Sequence, residues 1–299
     1  STVYMPGWKI TMLPDAIVEK YTLAEGRECP ALSLYVSFDE ATLEVKGSET
    51  RLERVPIVAN LRHDRLDAVI SEESLQGTAP ADYAFATELA FAFRLARHLK
   101  ALREVVRGKP ENFNRPDYNF RLQAADGQSP TSEPTGDETV TISERRRGAP
   151  LDLIVSEAMI LANSTWGGWI AEMGVPGIYR SQASLAPGVK VRMGVRPAPH
   201  AGMGVAQYTW ATSPLRRYVD LVNQWQIIAC ARHGKTAALA APFKPKDVQL
   251  FSIISAFDSA YAEYNAFQSG IERYWTLKYL EQMDLHELGA TVMKDGLVR

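Results

Sequence analysis

The stretch Thr212-Ser213-Pro214-Leu215-Arg216-Arg217-Tyr218-Val219-Asp220 sets two adjacent arginines in what reads as the first turn of a helix. Ser213 is a favoured N-cap, Pro214 fits the first helical position, and apolar Leu215, Tyr218, Val219, Val222 and Trp225 follow at helical spacing. The spacing therefore predicts a helix that begins at Ser213. Cations are out of place there: the unpaired N–H groups and positive dipole end favour anions, so each arginine costs about 0.3 kcal/mol or more. A bound anion reverses that sign. Phosphate is the natural one, because backbone N–H groups, the Ser213 hydroxyl and a guanidinium fork would converge on it. Charge and spacing leave a second reading open, a solvated turn with one arginine paired to Asp220 at i,i+3 or i,i+4.

Working outward, the 299 residues are 46% hydrophobic, enough for one large core or two modest ones. Lys+Arg of 33 against Asp+Glu of 35 leaves a net charge of −2, so no whole-molecule basic field advertises nucleic acid and any polyanion site is local. Arginines do cluster, at Arg145-Arg146-Arg147, at Arg192 and Arg196, and at Arg216-Arg217, while acids gather from Glu133 to Glu138 and from Asp284 to Glu287. Such runs are usually solvated faces, and the triple arginine is read that way. Cys29 and Cys230 stand far apart without a CxxC pair, which argues for a reducing, cytoplasmic setting and against zinc. His63, His98, His200, His233 and His286 form no metal-binding pattern. No apolar run is long enough for a membrane span and the first residues do not read as a signal peptide.

Residues 1–60 read as strand-rich, with Ala31–Phe38 as one strand, Asp39 and Glu40 as the turn, and Thr42-Leu43-Glu44-Val45 as the partner. Residues 82–107 read as a helix with Tyr83, Ala86, Leu89, Ala90, Phe93, Ala96 and Leu99 on its apolar stripe, ended by Gly108 and Pro110. Asp117–Leu122 and Thr139–Ser143 read as strands flanking a polar loop from 126 to 137. Residues 151–173 read as a central helix with Ile154, Ala158, Leu161, Ala162, Thr165 and Trp169 toward the core. Asn163 within it is either a surface amide or a buried one bonding a neighbouring loop. A Gly- and Pro-rich connector, 174–206, carries Pro199-His200-Ala201-Gly202-Met203-Gly204, where backbone can approach something closely. Residues 245–283 fit a long amphipathic helix through Leu250, Ile254, Phe257, Tyr261, Tyr264, Ile271, Trp275 and Tyr279.

Four stretches occur in an informative order: Thr2-Val3-Tyr4-Met5-Pro6 with Met12-Leu13-Pro14; Arg115-Pro116-Asp117-Tyr118; Glu157-Ala158-Met159-Ile160-Leu161-Ala162-Asn163; and Gly204 through Thr212-Ser213-Pro214-Leu215-Arg216-Arg217-Tyr218. On these the chain resembles the catalytic domain of the ribonuclease II family of 3′→5′ exoribonucleases, and the last stretch carries most of the specificity. The resemblance implies an α+β fold, a mixed or antiparallel sheet wrapped by helices. It also implies Mg²⁺-dependent hydrolysis of RNA from the 3′ end to nucleoside 5′-monophosphates. Two Mg²⁺ ions about 3.5–4 Å apart suit such chemistry, serving the attacking and leaving oxygens. In the family, the aspartates that bind magnesium lie just upstream of the motif that here is Tyr4-Met5-Pro6. The metal ligands are therefore expected before residue 1, with none in this chain. Residues 1–286 are expected to be the larger part of the catalytic domain. Residues 287–299, with Leu288–Lys294 as an opening strand, are expected to start an OB-fold RNA-binding domain, so the chain reads as a fragment of a longer enzyme.

By the same resemblance Arg216 clamps the scissile phosphate on the side away from the metals, with Arg217 and Ser213 beside it. Tyr4 packs on the 3′-terminal nucleotides and Phe113 is a further candidate for that duty; apart from the resemblance, Tyr4 reads as a strand-edge core aromatic. Aromatic stacking suits a sequence-tolerant nuclease. Gly202 and Gly204 would let backbone approach RNA. Three departures stand out. Gln268 falls where bacterial relatives offer a glutamate near the RNA end, and an amide can bind but cannot act as a base. Ala68 and Val69 replace a stacking tyrosine, and the connector from Tyr179 to His200 is shorter, so the RNA channel is differently walled. The expected partner is RNA, mainly single-stranded or with a 3′ overhang, bound by a cytoplasmic monomer without a membrane. The alternative is a non-catalytic RNA-binding relative, and a third reading is a structural α+β domain whose arginines merely pair with acids.

Overall fold

Alternating stretches become hairpins and the long periodic stretches become helices. A computed structural model describes residues 1–111, 117–145, 148–289 and 292, except for the side chains of His63 and Asp64. In chain order the elements are β1 (Val3–Met5), β2 (Trp8–Ile10), α1 (Asp15–Tyr21), β3 (Glu28–Phe38), β4 (Val45–Pro56), α2 (His63–Leu66), α3 (Glu72–Leu75) and α4 (Ala86–Arg107). There follow β5 (Asp117–Gln123), β6 (Thr139–Arg145), α5 (Pro150–Glu172), β7 (Tyr179–Ser181), β8 (Arg192–Gly194), α6 (Tyr218–His233), α7 (Ala237–Ala240) and α8 (Val248–Gln282). The α+β class stands. Among the described residues its strands form four separate two-stranded antiparallel sheets rather than one continuous sheet: β1–β2, β3–β4, β5–β6 and β7–β8.

The chain divides into two compact units, the first comprising the described residues within 1–2, 11–115 and 147–260. Its main core gathers Trp166 and Ile170 of α5, Val175 and Tyr179 of the connector, Ala211, and Ile227 and Cys230 of α6, with Leu32 and Leu34 of β3 packed against them. A second cluster joins Ile70, Leu75, Leu89, Phe93 and Leu151. The stripe read on α4 buries Leu89, Phe93 and Ala96 and ends with a buried Arg103; Gly108, in the left-handed region at φ 72°, closes the helix. Both cysteines are free and buried: Cys29 donates its thiol hydrogen to the Thr22 carbonyl at 3.3 Å, and burial pushes the Cys230 thiol up to about 11.

Three expectations need correcting here. The partner of β3 is not Thr42–Val45, because Thr42 and Leu43 lie in the turn: Asp39 accepts the Ala41 and Thr42 N–H groups at 3.1 and 2.9 Å, and the return strand runs Val45–Pro56. β4 was illegible because its residues are mostly polar or charged and exposed. On α5 the buried face is Leu151, Glu157, Ile160, Asn163, Trp166, Gly167 and Ile170, whereas Ala158 is exposed. Counting only apolar residues rotated the helix away from Glu157 and Asn163, which lie on its inner face. Finally, α6 begins at Tyr218 rather than Ser213, and Tyr218 and Trp225 are 39% and 36% exposed, stacked edge-to-face on each other.

The second unit comprises the described residues within 3–10, 116–146 and 261–299. β5 and β6 pair from Asp117↔Arg145 to Gln123↔Thr139, as the alternation anticipates. Leu122 and Val140 pack with Trp275 of α8, and Phe120, Ile142, Ile271 and Tyr279 surround them. Gln282 ties α8 to β6 by accepting the Val140 N–H at 3.0 Å and donating to the Glu138 carbonyl at 3.1 Å. Phe113, Arg115, Pro116, Arg146 and Arg147 lie outside the described residues, as does most of the 287–299 segment. No helix among the described residues is long and apolar enough to cross a membrane.

Candidate anion-binding site

Ser213 is not the N-cap of α6. Its carbonyl accepts the Arg216 and Arg217 N–H groups at 3.2 and 3.0 Å, closing a turn of its own, and its N–H donates back to Asp220 Oδ1 at 2.9 Å. Arg217 then takes extended dihedrals, φ −131° and ψ 125°, and the helix starts behind it. Asp220 sits in the first turn of α6, so the anion that the helix start favours is supplied by the chain itself.

The two arginines have opposite fates. Arg217 forks onto Asp220, with Nε to Oδ2 and Nη2 to Oδ1 both at 2.7 Å, and the carboxylate is fully buried. Burial raises the Asp220 carboxyl, while the Arg217 fork and the Ser213 N–H pull it back. Arg216 is exposed, and among the described residues its side chain makes no hydrogen bond or ion pair; it contributes only its field at Asp220. Its carbonyl accepts the Thr2 N–H at 2.8 Å, which pins the backbone beneath it. Such an arginine, held at its root and open at its tip, can take a phosphate in a bidentate grip.

Around the turn, backbone is held by buried polar side chains. Asn163 accepts the Ala211 N–H at 2.9 Å and donates to Tyr208 and Thr212 hydroxyls at 3.4 and 3.3 Å, so it is the buried, loop-bonding amide. Asn223 accepts the Ile178 N–H at 2.7 Å and donates to the Ile178 and Trp210 carbonyls, both at 2.9 Å. Gln226 donates to the Pro176 and Phe243 carbonyls at 2.7 and 3.0 Å and accepts the Phe243 N–H at 3.1 Å. The sequence reading passes over Asn223 and Gln226, yet with Asp220 they recur every third position on α6, a polar periodicity that marks a buried face as well as an apolar one does. Trp210 was missed too. The Arg180 and Arg217 guanidinium carbons lie 3.6 and 4.0 Å from its ring centroid.

The close approaches at Gly202 and Gly204 are to the protein itself. At Gly204, φ 66°, a Cβ would lie 2.3 Å from the Arg103 carbonyl oxygen, and at Gly202 one would lie 2.5 Å from Gln182 Oε1. The loop they occupy is clasped by Arg103, which donates to the Met203 carbonyl at 2.6 Å, to Glu111 at 3.1 Å and to the buried Glu157 at 2.9 Å. His200, in the same loop, accepts the Met203 N–H on Nδ1 at 3.2 Å; burial, helped by the Arg180 charge, pushes its pKa down to about 4.

In the second unit Tyr4, on β1, is 41% exposed rather than a core aromatic. Tyr261 and Tyr264 of α8 lie with ring centroids 5.8 Å apart; Tyr264, raised by burial, has the Tyr4 backbone and Glu272 within electrostatic reach. Gln268 donates to Glu272 at 2.8 Å, so its amide orients a carboxylate on the same helix. Among the described residues no three His, Cys, Asp or Glu side chains converge where an ion could sit.

The sequence fits the profile of a family described as RNB domain over residues 1–190 and 186–233. It is 26% identical over 318 residues to an uncharacterized ribonuclease of Synechocystis, covering 98% of this chain and 42% of that protein. The fold is shared with a Dss1 exoribonuclease from Candida glabrata at a TM-score of 0.72 and 22% identity, over 99% of this chain and 42% of the other. It is shared with Mycoplasma genitalium RNase R in complex with double-stranded RNA at a TM-score of 0.75 and 14% identity, over 100% and 59%. Yeast Ssd1, a pseudonuclease, shares it at a TM-score of 0.57 and 16% identity, over 92% and 36%. The chain thus spans less than half of the Synechocystis relative.

Proposed function

The chain belongs to the RNB-domain family, and from that premise we propose that it is the phosphate-gripping part of a hydrolytic 3′→5′ exoribonuclease. RNA, single-stranded or with a 3′ overhang, is the substrate; nucleoside 5′-monophosphates are the products; the setting is cytoplasmic and the protein a monomer. The observation that carries this reading is Arg216, an exposed guanidinium on a turn whose Ser213 N–H and Arg217 guanidinium are committed to Asp220. As charge accumulates on the phosphorus oxygens, a guanidinium delivered by a pinned backbone stabilises it. Mg²⁺ would supply further charge neutralisation and an activated water, from ligands other than the described residues. Tyr4 would hold the terminal nucleotide, and Gln268, which spends one amide N–H on Glu272, would offer the nucleotide its other N–H or its oxygen.

The test is digestion of 5′-labelled single-stranded RNA by the full-length protein, with Mg²⁺ and with EDTA. A ladder of shortening labelled products that disappears in EDTA is expected. In that assay Arg216→Ala is expected to lower the rate by about 10²–10³-fold and to leave RNA affinity nearly unchanged; equal losses in both would remove the transition-state role. A second reading, a non-catalytic RNA-binding relative, is favoured by Gln268 in place of an acid and by the fold shared with the pseudonuclease Ssd1. Intact RNA in both lanes with a retained gel shift would select it.

A further inference from the structure

We infer that Trp210 is a positioning residue for Arg216, acting through Arg217, Asp220 and Ser213; this rests on the role proposed for Arg216. An aromatic two residues before Thr212 would first be taken for a base-stacking platform. Its surroundings argue otherwise. Guanidinium carbons of Arg180 and Arg217 lie 3.6 and 4.0 Å from the ring centroid, and Phe257 meets the indole edge-to-face at 6.3 Å. Two guanidinium groups so close to one centroid are too wide to share a face, so no face is left for a nucleobase.

From Trp210 the contacts run without a gap. The indole seats the Arg217 guanidinium, whose fork holds both Asp220 oxygens at 2.7 Å. Asp220 accepts the Ser213 N–H at 2.9 Å, and the Ser213 carbonyl accepts the Arg216 N–H at 3.2 Å. The Trp210 backbone is anchored by Asn223, which donates to its carbonyl at 2.9 Å. The choice of an aromatic has a physical reason. Arg217 already has its carboxylate in Asp220; the two π faces seat Arg217 and Arg180 at about 0.5–2 kcal/mol each without adding a second negative charge beside Arg216.

The test uses the full-length protein, with Trp210→Leu, which keeps much of the volume but has no π face, and Trp210→Phe, which restores one. Trp210→Leu is expected to slow single-turnover cleavage of labelled RNA by about 10–100-fold, the scale of a misplaced catalytic group, with Kd for RNA changed little. Trp210→Phe should recover most of the rate. In an Arg216→Ala background Trp210→Leu should add no further loss, since both act through one group. A full Trp210→Leu effect in that background, or a loss confined to Kd, would overturn the assignment. Amide hydrogen exchange separates this from the nuclease reading: Trp210→Leu should speed exchange at Ser213, Arg216 and Arg217 while Val222 to Cys230 keep their protection. Unchanged exchange at the turn refutes positioning even if the protein cleaves RNA. Accelerated exchange in a protein that cleaves none sustains the contact chain and instead fails the nuclease reading.

Discussion

Around α6 the apolar core is joined by buried amides and a carboxylate: Asp220 takes a backbone N–H of the Ser213 turn, and Asn223 and Gln226 take backbone groups of the connector. Apart from the Gln282 tie, β5, β6 and α8 meet through Leu122, Val140 and Trp275, where contact is apolar and non-directional. The difference lies in what each kind of contact can specify. An apolar cluster fixes which face is inward and how much volume is filled, and tolerates swaps that conserve both. A buried amide fixes a particular N–H against a particular oxygen, so a loop can be held to within a hydrogen bond's tolerance. The turn that presents Arg216 is built in the second way.

The sharpest break should come at the ion pair. Arg217→Ala leaves Asp220 buried and uncompensated and is expected to cost about 3–5 kcal/mol, whereas Arg216→Ala should stay within about 0.5 kcal/mol. Denaturant midpoints for the two variants check this, and similar losses would erase the distinction between neighbouring arginines. Next comes acid. His200 is depressed to about 4 in the fold against about 6.5 unfolded, so its contribution is complete above pH 6.5 and is lost as pH falls toward 4. Protonation at Nδ1 also expels the Met203 N–H. The loss approaches about 3 kcal/mol at the acid end, read as a falling urea midpoint, and His200→Asn should flatten that part of the profile.

Smaller effects test the comparison itself. Asn163→Leu, which keeps the branched shape without the amide, strands the Ala211 N–H and is expected to cost about 2 kcal/mol. Leu122→Met in the apolar cluster conserves volume and should cost about 1 kcal/mol or less. Thermal unfolding of the pair decides; if the apolar swap proved the more damaging, directional contacts would not be what sets the α6 region apart.

The same contrast explains what the sequence disclosed. The β5–β6 hairpin, the α4 stripe and the length of α8 were legible because their cores are apolar and periodic. The α5 register was misread because Glu157 and Asn163 face inward, and β4 was overlooked because polar and charged residues outnumber its apolar ones. At the site, Arg216 was recognisable from its motif, and pairing of one arginine with Asp220 had been an open reading. That Ser213 closes a separate turn depends on Asp220 reaching back seven residues, which no local pattern encodes. The glycines were seen as points of close approach, but the neighbour that approaches, the Arg103 backbone, is distant in sequence.

The two buried cysteines give the molecule a timepiece. At pH 7.5 a thiol held near 11, like that of Cys230, is ionised in well under about one copy in a thousand, and both sulfurs are shut away from reagent. Alkylation therefore waits until the shell around α6 or β3 opens. Mass spectrometry of timed labelling at Cys230 would count openings of the scaffold that holds Arg216, and labelling at Cys29 would count those of the β3–β4 hairpin, with no probe having to be introduced.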